Sequence, residues 1–123
     1  MTAKVVDASA FAALSYHEAE AATVYQRLDG EELHAPTLLR LEMANVCLKK
    51  IRLHPRRRDE LIEMHRQSLG VRIQQHAVDP SETLALAERL RLSAYDASYL
   101  WLARSMNVEL VTLDEKLKRA SSA

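Results

Sequence analysis

Residues 4–9 read KVVDAS, and residues 108–117 read VELVTLDEKL. Each is a short β-branched run that ends against an acid. Such residues fit a pleated, packed surface, so Lys4-Val5-Val6 and Val108 to Thr112 predict strands. Asp7 then opens a helix over Ala8 to Leu14, and Asp114 opens a final helix to Ala120. Strand, acid, helix is the repeating unit of a parallel sheet covered by helices. Ligand sites in such sheets gather at the carboxyl ends of strands, near the switch in strand order. Asp7 and Asp114 are therefore placed to face one crevice.

The chain between these ends keeps the alternation. His17 to Leu28 reads as a helix, Leu33 to Ala35 as a strand, and Thr37 to Ile51 as a helix that is apolar almost all round. Pro36 is read as a first-turn proline of that helix. Pro55 opens a helix that runs from Arg56 to Leu69. Val71 to Val78 reads as the next strand. Asp79-Pro80-Ser81-Glu82 is a helix start with a capping oxygen, a proline at the first position and a Glu three residues on. Ser93 to Met106 is a further helix. Gly30, Gly70 and Asn107 each close a helical pattern just before a β-type run, as residues that tolerate the left-handed conformation do. The expected fold is a three-layer α/β/α arrangement with a central parallel sheet of four or five short strands. No repeat, linker or low-complexity tract interrupts it, so residues 1–123 are read as a single domain.

Composition bounds the function. In 123 residues, hydrophobic side chains make up 48% and charged ones 28%, the balance of a soluble globular domain. The single cysteine, Cys47, excludes an internal disulfide and reads as a buried thiol. The opening MTAKVVDASAF is too polar for a signal peptide, and no run is long enough to span a bilayer; the cytoplasm is the expected compartment. There are 17 basic and 17 acidic residues. Any attraction to nucleic acid must therefore be local, or supplied by a metal or a partner subunit.

Two more acids stand in unusual company. In LEMANVCL (41–48) only Glu42 and Asn45 are polar, and their spacing puts them on one helix face. A carboxylate in so apolar a helix is costly to bury unless a cation or hydrogen bonds compensate it. Asp96 lies in the otherwise apolar and aromatic AYDASYLWLA (94–103). Each acid also has a plainer explanation. Asp7 caps the helix at Ala8. Asp96 completes a capping box with Ser93. Asp114 enjoys the positive end of a helix, where Thr112 and Glu115 form a second box. Glu42 pairs with Arg40 or Asn45. Capping and metal binding are compatible roles for the same carboxylate.

The order of the motifs says more than any one of them. VVDAS, PTLLRLEMAN, LSAYDASYLWLA and LVTLDEKL follow one another along essentially the whole chain. This resembles the PIN-domain family, and within it the VapC toxins of toxin–antitoxin pairs. The resemblance implies a four-carboxylate site: Asp7 at the end of the first strand, Glu42 in the helix after the second, Asp96 in the D-A-x-Y helix, and Asp114 in the T-x-D-x-x-L motif. Ser9, Asn45 and Thr112 match polar positions that line the same pocket. It also implies a metal-dependent endoribonuclease that hydrolyses RNA and leaves a 5′-phosphate, a homodimer, and a cognate antitoxin as partner. Family members often add a fifth strand after the last helix; here little chain follows Lys118-Arg119.

The chemistry agrees with the resemblance. Carboxylates suit Mg²⁺ or Mn²⁺, which prefer hard oxygen donors. Asp7 and Asp96 are the first choices as direct ligands, with Glu42 and Asp114 binding through water or orienting the nucleophile. Other constellations are weaker. His17, His34, His54, His65 and His76 lack zinc-type spacing and read as ordinary histidines. Arg56-Arg57-Arg58 reads as a solvated face, with RNA phosphate or an acidic partner as the alternatives. Met43, Tyr95, Tyr99 and Trp101 read as core or interface. Rival functions are a catalytically silent PIN-like domain that binds RNA or protein, and a phosphoacceptor signalling domain. The latter wants adjacent acids after the first strand, where this chain has Asp7-Ala8.

Overall fold

A computed structural model of the protein describes residues 2–122. The elements run β1 (Ala3–Val6), α1 (Ala8–Ser15), α2 (Ala21–Leu28), β2 (Glu32–Pro36), α3 (Leu38–Leu53), a 3-10 turn (Pro55–Arg57), α4 (Arg58–Ser68), β3 (Gln74–His76), α5 (Pro80–Leu90), α6 (Ala94–Met106), β4 (Glu109–Val111) and α7 (Glu115–Ser121). Four strands form one sheet in the order β3-β2-β1-β4, and every pairing is parallel. Val5 pairs with His34 on one side and Leu110 on the other.

The order follows from how the connections lie. The chain steps from β1 to β2 to β3 in one direction, then returns across the sheet to β4. Parallel crossovers are right-handed, so reversing the direction moves the covering helices to the opposite face. α1, α3 and α4 pack together in one layer, while α5, α6 and α7 pack together in another. The sheet lies between them in a three-layer α/β/α sandwich. Val5, Val6, Phe11, Leu39, Met43, Tyr99, Val111 and Leu117 fill its core, and each is almost completely buried. The switch in strand order falls between β1 and β4. Asp7 and Asp114 stand at its carboxyl end.

Several local expectations change. α2 begins at Ala21 rather than His17, because His17 takes a left-handed conformation (φ 54°) that no helix can contain. Pro36 is not in a helical turn but is the last residue of β2, paired with His76. There its lack of an N–H costs little, and the next amide, of Thr37, bonds the His76 carbonyl. Gly30 is left-handed (φ 77°) and Asn107 likewise (φ 57°), as expected, but Gly70 is not. The third strand shrinks from Val71–Val78 to Gln74–His76. Its short ladder is reinforced by side chains: His34 Nδ1 lies 2.7 Å from His76 Nε2, and His34 Nε2 lies 2.6 Å from Glu32. His34 is therefore buried and bonded rather than an ordinary surface histidine. The sheet has four strands among the described residues. None of the described helices is long and apolar enough to cross a membrane.

Candidate active site

β1 delivers Asp7 to the crevice, and its backbone is held there by the Asp7 N–H donating to the Val111 carbonyl (3.2 Å). Asp7 is buried, with only 4% of its surface exposed. Its Oδ1 accepts the Ala10 N–H (3.0 Å), which makes it the N-cap of α1, and also the Ser9 hydroxyl (2.7 Å). Its Oδ2 accepts the Thr112 hydroxyl (2.5 Å). Thr112 in turn accepts the Asp114 N–H (3.0 Å), and Ser9 accepts the Leu113 N–H (2.9 Å). Ser9 and Thr112 thus tie the end of β4 to the end of β1.

This network replaces the capping box expected between Thr112 and Glu115. The hydroxyl of Thr112 turns to Asp7, and Asp114 itself caps α7 by accepting the Leu117 N–H (2.8 Å). Asp114 is exposed. Asp96 opens α6, where its N–H donates to the Ser93 hydroxyl (3.0 Å) and its own carboxylate stays available. Glu42 does not pair with Arg40 or Asn45. The Arg40 guanidinium bonds the carbonyls of Ser68 (3.1 Å) and Val71 (2.9 Å). Glu42 Oε1 instead accepts the hydroxyl of Tyr99.

Tyr99, expected from the sequence in the core or at an interface, is a further member of this site. It is in the core, with 1% of its surface exposed, and its hydroxyl reaches Glu42. The signal was present: Tyr99 follows Asp96 by one turn of α6, so the two share a face. Asn45 follows Glu42 by one turn of α3 and is exposed. It lines a groove of about 520 Å³ beside Glu42. A groove of about 550 Å³ between α5 and α6, where the Trp101 indole donates to Glu82 (2.8 Å), contains none of the four acids.

The carboxylates act on one another. Burial pushes the Asp7 carboxyl above its ordinary range, against the pull of its hydrogen bonds, and the Asp96 charge adds to the rise. Glu42 is raised by burial, opposed by the Tyr99 hydroxyl, and raised further by Asp96 and Asp7. Asp96 is raised by burial and by Asp114, with the Ser93 hydrogen bond and Lys116 pulling the other way. Tyr99 is pushed far up by burial and by its acid neighbours, so it stays a neutral donor. Asp96 thus acts on Asp7 and Glu42, and Asp114 acts on Asp96.

A cluster that resists ionisation this way is relieved by a cation. As the side chains stand, no three of the described His, Cys, Asp and Glu residues converge closely enough to hold one ion together. Mg²⁺ does not need three, because it keeps several waters and binds through one or two carboxylates. The all-oxygen donor set, and a buried carboxylate with a free lone pair at Asp7, fit such a hydrated ion.

Comparison with known proteins gives one answer. The family model of the PIN domain matches residues 4–122. The chain is 33% identical over 118 residues to ribonuclease VapC3 of Pyrobaculum aerophilum, covering 92% of this chain and 90% of that protein. It is 34% identical over 124 residues to ribonuclease VapC9 of Mycobacterium tuberculosis, covering 97% and 91%. The crystal structure of PAE2754 from Pyrobaculum aerophilum superposes with a TM-score of 0.79 at 28% identity, covering 98% of this chain and 80% of that one. The Mycobacterium tuberculosis toxin VapC20 shares the fold, with a TM-score of 0.66 at 16% identity over 96% and 95% of the two chains.

Proposed function

The chain belongs to the PIN-domain family, and from that premise we propose that it is a metal-dependent endoribonuclease, the toxin of a toxin–antitoxin pair. The observation that carries the reading is the gathering of acids at the switch between β1 and β4: Ser9 and Thr112 tie the end bearing Asp114 to Asp7, and Glu42 and Asp96 lie within reach of that buried carboxylate's charge. Such a group of acids destabilises an empty site and suits one that binds a divalent cation.

In the proposed site Asp7 and Asp96 would hold the cation, Mg²⁺ or Mn²⁺. When bound, it supplies an activated water and neutralises charge that develops on the phosphate. Ser9, Thr112 and the Ala10 amide fix the Asp7 carboxylate, so its geometry is set before substrate arrives. Tyr99 occupies one oxygen of Glu42 and leaves the other to orient the attacking water. Asp114, exposed at the mouth, serves through water. Attack breaks a phosphodiester bond, and the products carry a 5′-phosphate and a 3′-hydroxyl.

Partners follow from the same premise. RNA is the substrate and a cognate antitoxin the regulator. A homodimer is proposed on the same family premise.

The test is a cleavage assay on defined tRNA, rRNA and mRNA fragments. Cleavage that needs Mg²⁺ or Mn²⁺, stops in excess chelator and disappears in Asp7→Asn is the expected result. Undiminished cutting by Asp7→Asn, or in chelator, defeats the proposal.

A further inference from the structure

The chain has no net charge, yet its cations are unevenly spread. Residues 49–58 read KKIRLHPRRR, at the end of α3 and the start of α4. Some of these have local work. Lys50 pairs with Glu18 (2.7 Å), Arg57 with Glu60 (2.7 Å) and Arg58 with Asp59 (3.3 Å). Lys49, Arg52 and Arg56 are exposed and have no acid partner among the described residues.

Two of these are also aligned with the proposed site. From Glu42 the steps to Asn45, Lys49 and Arg52 are three, four and three residues, so all share one face of α3. At 1.5 Å per residue, Lys49 lies about 10 Å and Arg52 about 15 Å along the helix from Glu42. Arg56 follows in the 3-10 turn, four residues after Arg52 and just past the end of α3. The face thus begins at a carboxylate of the proposed site and turns from acidic to polar to basic.

Helix stability does not explain the line. A cation near the end of α3 is favoured by the helix dipole, but Lys49 is one turn further in and Arg56 precedes α4, at the wrong end for a positive charge. Asp59 and Glu60 of α4 balance Arg57 and Arg58, leaving Arg56 uncompensated. A row of unpaired cations leading away from an acidic cutting site matches a polyanion whose scissile phosphate sits at the acids.

We propose that Lys49, Arg52 and Arg56 form a phosphate-binding track that holds the RNA strand as it leaves the active site along α3. The assignment rests on the ribonuclease reading above. It adds where the substrate lies and why a chain of zero net charge can hold it.

The test compares two variants of equal charge change. One is Lys49→Gln with Arg52→Gln and Arg56→Gln. The control is Arg27→Gln with Arg66→Gln and Lys118→Gln, cations that each have an acid partner elsewhere. Cleavage of a long single-stranded RNA and of a dinucleotide is followed from low to moderate salt. In the track variant KM for the long RNA is expected to rise about tenfold or more, with kcat little changed and the dinucleotide unaffected. The slope of log kcat/KM against log salt should flatten by about 2, at about 0.7 per phosphate contact on a single strand. The control should change neither. All six positions are outside the core, and thermal melting verifies that both variants fold. If the wild type cleaves but the two variants behave alike, the track is wrong and the ribonuclease reading survives. If the track variant cleaves normally but loses binding to polyglutamate, the face serves an acidic protein and the proposal is overturned. A wild type that cuts no RNA with either metal removes both readings.

Discussion

Asp7 performs two jobs with the same oxygens. Oδ1 caps α1 and accepts Ser9, while Oδ2 takes Thr112 and keeps a lone pair. Capping and site are not competing explanations here. Replacing the charge but not the shape separates them: Asp7→Asn or Glu42→Gln should lower metal-dependent cleavage by about 100-fold or more, the scale of positioned catalytic groups. The same changes should leave the metal-free melting temperature unchanged or higher, because each removes a carboxylate that burial disfavours. A large drop in melting temperature would mean the acids are structural. Tyr99→Phe keeps the buried ring and removes the hydroxyl on Glu42. We expect a loss of about 10- to 100-fold in activity or metal affinity, typical of a group that orients a ligand. A shift in the Mg²⁺ concentration for half-maximal activity, at unchanged stability, would show that the hydroxyl acts through Glu42.

Helix ends show how far local rules reach. Asp79 and Ser93 cap their helices through side-chain oxygens, as their spacing predicts, whereas Asp114 takes the capping place expected of Thr112. The left-handed residues are less regular. Asn107 was recognisable, but His17 and Arg91 adopt the same conformation (φ 54° and 57°) without a residue type that announces it. Arg91 ends α5 in the left-handed region, which costs a non-glycine residue about 1–2 kcal/mol. Glycine relieves that cost and gives back about 0.4–1 kcal/mol through a freer unfolded chain. Arg91→Gly should therefore stabilise the protein by about 0.5 kcal/mol or more, seen as a higher midpoint in urea. A destabilised Arg91→Gly would mean that the arginine side chain makes a contact worth more than the strain. The contraction of the third strand to three residues has a similar lesson. Val71 to Val78 has β propensity, but only Gln74–His76 find partners on β2.

The whole molecule converts topology into electrostatics. Turning back across the sheet after β3 sets β4 beside β1 and brings Asp114 to Asp7, which are 107 positions apart in number. The helical layers then contribute Glu42 and Asp96. The raised carboxyls make stability depend on pH with a defined sign. A folded-state pKa above the unfolded one means that the folded protein binds more protons, so stability falls as pH rises from about 4 through the raised values. Mg²⁺ needs the ionised acids. Its stabilising effect should be small near about pH 5 and larger near about pH 7.5, where the repulsion it relieves is fully developed. Thermal melts with and without Mg²⁺ at both pH values measure this. An increment that is absent, or the same at both, would argue against a cation among these four acids.

From the sequence alone came the alternation of strand and helix, the stops at Gly30 and Asn107, and the four acids in their order. Those features are local: propensity, caps and residue spacing act within a few positions. The strand count, the length of β3, the place of Pro36 in a strand and the partner of Glu42 were decided by tertiary structure. The same holds for the bond between His34 and His76, which joins residues 42 apart in number. Each depends on which distant groups meet, and the free energy of burying a polar group is settled by the partner it finds there. The sequence supplied Glu42 as an awkward acid in an apolar helix; packing α3 near α6 supplied the tyrosine that makes it tolerable.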